Sequence, residues 1–310
     1  MKVNWKGVYP AITTKFTNAD ELDMAMFEKN ILFQIEAGVD GFILGGSLGE
    51  CTALTDEEKD ELTRATLKIV DGKIPVIMNI AEQTTKEAVR QAQRAESNGA
   101  DGLMMLPPMR YKATDQETVE YFKAIANSTS LPIMIYNNPI DYKIMVTLDM
   151  FDQLAECSNI EAVKESSRDL TNITRMRNKF GDRYKIMGGV DTLTFESLMS
   201  GADGIVAGLV CAFPRETVAI YRLALAKRYD EALAIYRWFM PLCELDIDPQ
   251  LVQNIKLAEV YTGIGTENVR LPRLKLSGKR REEVIKIIED SLATRPELPD
   301  YLNLEPVSVY

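Results

Sequence analysis

The sequence lacks histidine altogether, because none of its 310 residues is a histidine. A Ser-His-Asp or Cys-His arrangement is therefore excluded, and so is a metal site built on histidine ligands. Lysine, tyrosine, carboxylate and hydroxyl groups must carry any proton transfer in this protein. We expect a site that works without a metal or another cofactor.

Cysteine is also scarce, and the four cysteines are far apart in the sequence. No two of them form a Cys-x-x-Cys pair, so their spacing predicts free thiols that mostly pack in the interior. Cys51 follows a glycine-rich turn and has two interpretations, a residue that lines a site or a small buried residue. The cysteines are Cys51, Cys157, Cys211 and Cys243.

Basic runs and long apolar runs are missing as well. The formal net charge is −10 without any run of lysine and arginine, which argues against nucleic acid or an anionic membrane as a partner. No segment reaches the about 20 consecutive apolar residues of a membrane span, and residues 1–6 lack the apolar stretch of a signal peptide. We therefore expect a cytoplasmic protein that binds a small molecule.

A repeated pattern predicts the architecture. Residues 38–44, 99–105 and 201–206 each contain a helix-ending glycine, an Asp-Gly turn and an apolar run typical of a buried strand. Amphipathic segments such as 84–97 and 115–127 separate the strands, which indicates a parallel sheet covered on both faces. The predicted strands are 7–13, 41–45, 75–80, 102–106, 132–136, 160–164, 184–188 and 204–207. Eight such units favour a closed (β/α)8 TIM barrel over a doubly wound α/β sheet.

After about Pro214 the pattern becomes helical. Residues 216–227 are predicted as the last barrel helix, and the segments 230–240, 250–261 and 279–293 as a C-terminal helical extension. This divides the chain into a barrel over residues 1–228 and an extension over 229–310. The tail from Pro296 to Tyr310 either packs across a neighbouring subunit or hangs free.

Lys164 is the first candidate for chemistry, because it ends the apolar run 160–164. Burial disfavours an ammonium group and lowers its pKa, which frees the amine as a nucleophile toward a carbonyl carbon. Schiff-base catalysis needs such an amine. The alternative is a solvated lysine at a strand end.

Two further segments follow predicted strands. The turn Gly46-Ser47-Leu48-Gly49-Glu50 presents backbone N–H groups and a hydroxyl, which suit a carboxylate ligand, and Tyr136 at the end of another strand can transfer protons. Each also has a purely structural interpretation, as a tight turn and as an amphipathic rim residue. In a barrel, these segments and Lys164 would meet at the C-terminal mouth.

Together these segments resemble the dihydrodipicolinate synthase and N-acetylneuraminate lyase family of Schiff-base enzymes. The resemblance covers most of the chain and includes 7–14, 46–50, 136–139, 160–167 and 188–191. It implies that Lys164 forms an imine with a 2-oxo acid, that Tyr136 relays protons and that Ser47 and Leu48 hold the substrate carboxylate. It also implies a hydrogen bond between Ser47 and Tyr136 and a homo-oligomer, a tetramer built as a dimer of dimers.

Departures from the family pattern indicate which of the family's substrates this protein does not use. Asp141 stands where dihydrodipicolinate synthases have an arginine, Arg110 where they have a relay tyrosine, and Leu48 where threonine is usual. Tyr111 is available as a substitute for that tyrosine. Thr192 replaces the acidic residue with which sialate lyases bind sugar hydroxyls. We therefore expect neither lysine biosynthesis nor a sialic acid substrate.

The segments 163–169, 189–191, 207–210 and 213–214 resemble the 1-pyrroline-4-hydroxy-2-carboxylate deaminase branch, which acts in hydroxyproline breakdown. The implied substrate is a small cyclic imine, with Gly189 allowing close approach. Two rivals remain: a lyase or dehydratase for a 2-keto-3-deoxy sugar acid, and a barrel that has lost catalysis and serves in binding or assembly.

Three charged residues keep two interpretations each. Arg110 either contacts the substrate or forms a surface salt bridge. Glu50 and Glu165 either orient Lys164 or have helix-start or rim roles.

Overall fold

The computed structural model describes residues 2–108 and 111–307. Its parallel strands pair in the order β1-β8-β7-β6-β5-β4-β3-β2, and a bridge between Ala11 and Ile43 joins β1 to β2. The strands are β1 (Gly7–Pro10), β2 (Phe42–Leu44), β3 (Val76–Ile80), β4 (Gly102–Met105), β5 (Ile133–Asn137), β6 (Ile160–Glu165), β7 (Lys185–Gly188) and β8 (Gly204–Ala207). The predicted TIM barrel is confirmed.

Helices surround this sheet. They are α1 (Met24–Ala37), α2 (Asp56–Val70), α3 (Thr85–Ser97), α4 (Asp115–Ala126), α5 (Pro139–Tyr142), α6 (Leu148–Leu154), α7 (Thr171–Phe180), α8 (Thr194–Met199), α9 (Pro214–Leu225), α10 (Tyr229–Cys243), α11 (Leu251–Tyr261) and α12 (Gly278–Ala293). None of the described helices is long and apolar enough to cross a bilayer.

The repeated aspartates of the sequence fasten neighbouring strands. Gly38 ends α1 in the left-handed region with a φ of 88°, which favours glycine because it has no Cβ. Two residues later, the carboxylate of Asp40 accepts a hydrogen bond of 2.9 Å from the Val8 amide on β1. Asp101 and Asp203 bind the amides of Val76 and Ile186 in the same way, at 3.0 and 2.8 Å. The repeat therefore encodes both a turn and a contact with the next strand.

Three helices follow the barrel helix α9. Helix α10 packs against α8, α9 and α12, and α11 packs against α12 and the turn after β8. The loop between α10 and α11 lies over the C-terminal mouth of the barrel, where it contributes Asp246 and Ile247 to a cavity. The division of the chain at residue 229 stays a prediction.

As far as residue 307 the C-terminal tail packs on its own barrel, so the expectation that it hangs free is wrong, and its packing across a neighbouring subunit stays a prediction. The hydroxyl of Tyr301 donates to the carbonyl of Ala37 at 3.2 Å, and the amide of Val307 donates to the carbonyl of Leu225 at 3.0 Å. Tyr301 is 8% exposed. The tail is therefore anchored to the ends of α1 and α9.

Candidate active site

Lys164 and Tyr136 lie side by side at the mouth of the barrel. Adjacent parallel strands place residues of equal register next to each other, and Lys164 on β6 pairs with Tyr136 on β5. The amine of Lys164 lies 4.1 Å from the centre of the Tyr136 ring. Only 7% of Lys164 is exposed. The structure thus brings the two predicted catalytic residues together.

The amine of Lys164 is buried without a close counter-ion. Among residues 2–108 and 111–307, no carboxylate forms an ion pair with it within 4.0 Å. Burial lowers the pKa of Lys164 below its ordinary value, and the more distant acidic groups of Tyr142, Asp246 and Asp191 oppose this shift. A larger fraction of the amine is consequently free to attack a carbonyl carbon than in a solvated lysine.

The hydroxyl partners differ from the predicted ones. Ser47 Oγ lies 2.7 Å from the hydroxyl of Tyr142 on α5, so the expected bond between Ser47 and Tyr136 is wrong. The Tyr136 hydroxyl instead accepts a hydrogen bond of 3.1 Å from Asn138 Nδ2. The Tyr136 and Tyr142 rings pack edge to face with their centres 5.5 Å apart. Tyr142 therefore occupies the place between Ser47 and Tyr136.

Burial also controls the acidity of the tyrosines. It raises the pKa of Tyr136 to about 12, and the hydrogen bond from Asn138 acts in the opposite direction. Burial raises the pKa of Tyr142 as well, with repulsion from Tyr136 adding to it. Both hydroxyls are therefore protonated at neutral pH and available as hydrogen-bond donors.

The turn after β2 presents unused backbone donors. Within the described part of the chain, no protein acceptor receives the N–H of Ser47 or of Leu48. Ser47 is exposed and Leu48 is buried, and both border the cavity beside Lys164. Two neighbouring N–H groups without protein partners are suited to a carboxylate or another anion.

Gly189 lies directly against Lys164. A Cβ at this position would collide with Ser166 and would lie 2.7 Å from Lys164 Cγ. The Gly189 amide donates to the Glu165 carbonyl at 2.9 Å, and its own carbonyl accepts from Ser166 Oγ at 3.0 Å. The absence of a side chain at Gly189 therefore makes room for Lys164, at a position that also borders the cavity.

These groups border one cavity of about 230 Å³. Three carboxylates line it, those of Asp141 at the exposed rim, Asp191 and Asp246, and the exposed Arg168 also borders it. Asp141 Oδ2 accepts a hydrogen bond of 2.7 Å from Asn138 Nδ2. The charged groups that line the cavity are thus three aspartates together with Lys164 and Arg168.

Arg110 lies outside the described residues, so its predicted contact with the substrate stays a prediction. Tyr111 is 56% exposed and borders a separate surface hollow with Gln83 and Glu117. Cys51 is partly buried and is not among the residues that line the cavity.

Glu50 and Glu165 bind structural partners. Glu50 is fully buried and forms an ion pair with Lys256 on α11, while its second oxygen accepts from the Arg270 amide at 3.0 Å. Glu165 accepts hydrogen bonds from Asn137 Nδ2 at 3.0 Å and Asn172 Nδ2 at 2.6 Å. Neither carboxylate lines the cavity, so neither orients Lys164.

Sequence reasoning missed Tyr142 and Asp246 as residues of the site. Asn138 is the N-cap of the short helix α5, and its side chain accepts a hydrogen bond from the Asp141 amide. Asparagine before a helix is a typical N-cap signal. That signal could have placed Tyr142 one helical turn beyond Asn138, close to Tyr136. Asp246 belongs to a loop between two C-terminal helices, and no local pattern there indicates a contact with the barrel mouth.

The model of the dihydrodipicolinate synthetase family matches residues 4–291. The chain belongs to the dihydrodipicolinate synthetase family. This is a family of class I lyases that act through a lysine Schiff base, so the protein is an enzyme of that class.

Curated relatives and solved structures agree with this membership. A 4-hydroxy-tetrahydrodipicolinate synthase of Exiguobacterium sibiricum is 30% identical over 277 residues, which cover 88% of this chain and 94% of the relative. One of Leptospira biflexa is 31% identical over 285 residues, 92% and 97% of the two chains. A structure of the synthase from Methylacidiphilum fumariolicum superposes with a TM-score of 0.87 at 30% identity, covering 93% and 97%.

Proposed function

We propose that Lys164 is the lysine that forms the Schiff base, with the C2 carbon of a 2-oxo acid or of a cyclic imino acid. We base this above all on an amine that is buried, is not held in an ion pair and opens onto a cavity of about 230 Å³. Its lowered pKa supplies the unprotonated form that attack requires.

In this proposal the free N–H groups of Ser47 and Leu48 bind the substrate carboxylate, which holds C2 close to Lys164. The amine attacks C2 and a C–N bond forms; the carbonyl oxygen of a 2-oxo acid leaves as water, whereas the ring nitrogen of a cyclic imino acid leaves C2 as an amine. Tyr136 supplies and recovers protons, since its ring lies against the amine at 4.1 Å and its pKa of about 12 keeps the hydroxyl protonated. Tyr142 links the Ser47 side of the cavity to Tyr136.

For the substrate we propose 1-pyrroline-4-hydroxy-2-carboxylate, a small ring with one carboxylate. The carboxylates of Asp141 and Asp191, which line the cavity, disfavour a second carboxylate and suit a nitrogen that leaves as ammonia. Attack of Lys164 on C2 opens the ring by breaking its C2–N bond, the C4 hydroxyl is lost through an enamine, and hydrolysis releases ammonia and 2,5-dioxopentanoate. One water molecule is consumed overall.

A second candidate is the condensation of pyruvate with aspartate semialdehyde. It is favoured by the curated relatives, which bear the name 4-hydroxy-tetrahydrodipicolinate synthase at 30% and 31% identity. Asp141 at the rim and the apolar Leu48 in the turn weigh against it, because they leave a second carboxylate without a partner at these two positions. Arg168 is the cation available at the rim in the described part of the chain.

A substrate panel separates the candidates. The purified protein is given the pyrroline carboxylate, pyruvate with aspartate semialdehyde, or a 2-keto-3-deoxy sugar acid, with Lys164→Ala as the control. We expect ammonia and 2,5-dioxopentanoate from the first and negligible turnover of the others. Efficient condensation, or cleavage of the sugar acid without ammonia, would contradict the deaminase proposal and leave the Schiff base intact. No turnover of any substrate and no imine would favour a binding or assembly role.

The acidic rim offers a sharper test of specificity. Asp141→Asn removes one carboxylate while keeping the side-chain length, so it should lower the KM of any doubly charged substrate more than that of the pyrroline carboxylate. Asp149→Asn, an exposed acidic change outside the cavity, is the control. Equal effects of both changes on the two substrates would show that rim charge does not set specificity.

A further inference from the structure

The C-terminal loop between α10 and α11 brings the carboxyl group of Asp246 to the cavity that Lys164 also lines. Asp246 lies against Gly208 after β8, where a Cβ on that glycine would collide with the Asp246 carboxyl group. The same hypothetical Cβ would lie 2.9 Å from Leu48 Cδ1, so Asp246 and the carboxylate-binding turn are close neighbours. The loop therefore packs on the barrel through the contact of Asp246 with Gly208.

Asp246 is paired with Asp191, which is 3% exposed. Both Asp191 oxygens accept backbone hydrogen bonds at 2.9 Å, from the amides of Gly208 and Leu209. Because Asp191 binds the Gly208 amide and the Asp246 carboxyl group lies against the same glycine, the two carboxyl groups are neighbours. Repulsion between neighbouring carboxylates disfavours ionisation of both, and the two backbone donors favour the ionised form on Asp191.

The proton of the pair therefore resides on Asp246. Burial, followed by repulsion from Asp191, raises the pKa of Asp246 well above its ordinary value, and Lys164 acts in the opposite direction. Charged and titratable groups face Asp246 from the packed elements around it. They are Lys164 on β6, Asp191 after β7, Asp141 on α5, Tyr136 on β5 and Cys243 on α10.

We propose that Asp246 is a second acid of the site, which donates its proton to the leaving hydroxyl of the substrate held on Lys164. The barrel places it near β8, on the other side of Lys164 from Tyr136 on β5. This assignment rests on the proposed deaminase function and gives the two acids separate tasks. Tyr136 serves imine formation, and Asp246 serves the elimination.

The elimination balances with one proton from Asp246. In the enamine, the nitrogen lone pair re-forms the C=N bond to C2, the C2=C3 electrons become a C3=C4 double bond, and the C4–O bond breaks. The oxygen takes the bond electrons and the Asp246 proton and leaves as water. Asp246 remains as a carboxylate beside Asp191 until water reprotonates it, and no oxidant or reductant is needed.

Asp246→Asn tests this assignment in the full-length enzyme. The variant should still be trapped by borohydride as an adduct with pyruvate, because imine formation does not need Asp246. Its kcat for ammonia release from the pyrroline carboxylate should fall by roughly 10²- to 10⁴-fold with a nearly unchanged KM, the scale for losing a positioned acid. Asp246→Glu should recover part of kcat.

The pH profile distinguishes an acid from a structural residue. The reactive form of Asp246 is protonated, so wild-type kcat should fall as pH rises through the raised pKa of this group, and Asp246→Asn should lose that decline. Asp248→Asn is the matched control, because Asp248 is in the same loop but binds Arg280 at 2.9 Å and does not line the cavity. It should keep the wild-type kcat and profile.

The outcomes are separable. Wild-type kcat and pH profile in Asp246→Asn, or an equal loss in Asp248→Asn, would overturn the role of Asp246 while the deaminase proposal survived. Loss of the pyruvate adduct in Asp246→Asn would also overturn it, since the carboxyl would then act in imine formation. Failure of the wild-type enzyme to release ammonia would overturn the deaminase proposal itself, and this assignment with it.

Discussion

The buried lysines near the C-terminal mouth of the barrel differ in whether a carboxylate pairs with the amine. Lys15, which follows β1, binds Glu259 at 2.8 Å, and Lys256 on α11 binds Glu50, with all four side chains 0% exposed. Lys164 has no such ion pair among the described residues. A buried ammonium needs a counter-ion, which Glu259 and Glu50 supply to Lys15 and Lys256. These two ion pairs join the helical layer to the barrel.

Lys164 and Lys256 share, besides burial, an aromatic ring beside the amine. The amine of Lys256 lies 4.5 Å from the centre of the Phe16 ring, and that of Lys164 lies 4.1 Å from the Tyr136 ring. An aromatic neighbour is therefore common to both lysines. The carboxylate partner and the ring hydroxyl are what separate a structural lysine from a nucleophilic one.

The largest expected effect is that of Lys164→Ala. Turnover should fall by roughly 10⁴-fold or more, as for other covalent nucleophiles, and the borohydride adduct with pyruvate should disappear from mass spectra. The free energy of unfolding should stay within about 1 kcal/mol of wild type, because no paired carboxylate is left alone. Lys164→Arg should be equally inactive, since guanidinium stays protonated. An adduct on the Lys164→Ala variant would refute the assignment.

Tyr136→Phe makes the ring beside Lys164 resemble the ring beside Lys256. The fold should be retained and turnover should fall by roughly 10²- to 10⁴-fold, because the ring remains and only the acid/base hydroxyl is lost. Steady-state kinetics and circular dichroism check this together. Turnover close to that of the wild-type enzyme would assign Tyr136 a packing role.

Lys256→Met should affect stability and leave the imine chemistry in place. Removing one partner of a buried ion pair leaves the Glu50 charge uncompensated, so the free energy of unfolding should fall by about 3–5 kcal/mol. Urea denaturation measures this loss. Adding Glu50→Gln should restore part of it, and the folded fraction should still form the pyruvate adduct. A stable Lys256→Met variant that forms no pyruvate adduct would contradict the structural role of Lys256 and assign it a part in the imine chemistry.

The smallest expected effect is that of Ser47→Ala. It removes the hydroxyl bonded to Tyr142 at 2.7 Å but keeps the backbone N–H groups that we assign to the carboxylate. The cost should be about 0.5–1.5 kcal/mol of transition-state stabilisation, a fall in kcat/KM of at most roughly 10-fold. Tyr142→Phe should match it within a factor of a few. A 10³-fold loss in either variant would make this hydroxyl pair part of the proton transfer.

The barrel could be predicted from the sequence to a large extent. Seven of the strands begin and end within one residue of their predicted bounds, whereas the first ends at Pro10 rather than Thr13. Beyond Pro10 the backbone makes a single bridge, from Ala11 to Ile43, in place of a ladder. Apolar run length and glycine position are local properties, so they predict strands well and say less about where pairing stops.

The sequence by itself determined the alternation of strands and helices and the places of Lys164, Tyr136 and the turn at Ser47 at strand ends. In a parallel barrel all such ends meet at one mouth, so their proximity follows from the fold class. Only the tertiary structure decided that Tyr142 is the partner of Ser47, that Lys256 pairs with Glu50 and that Asp246 meets Asp191. These contacts join residues 55 to 206 positions apart, and they depend on how helices and loops pack over the mouth. No local periodicity encodes that packing.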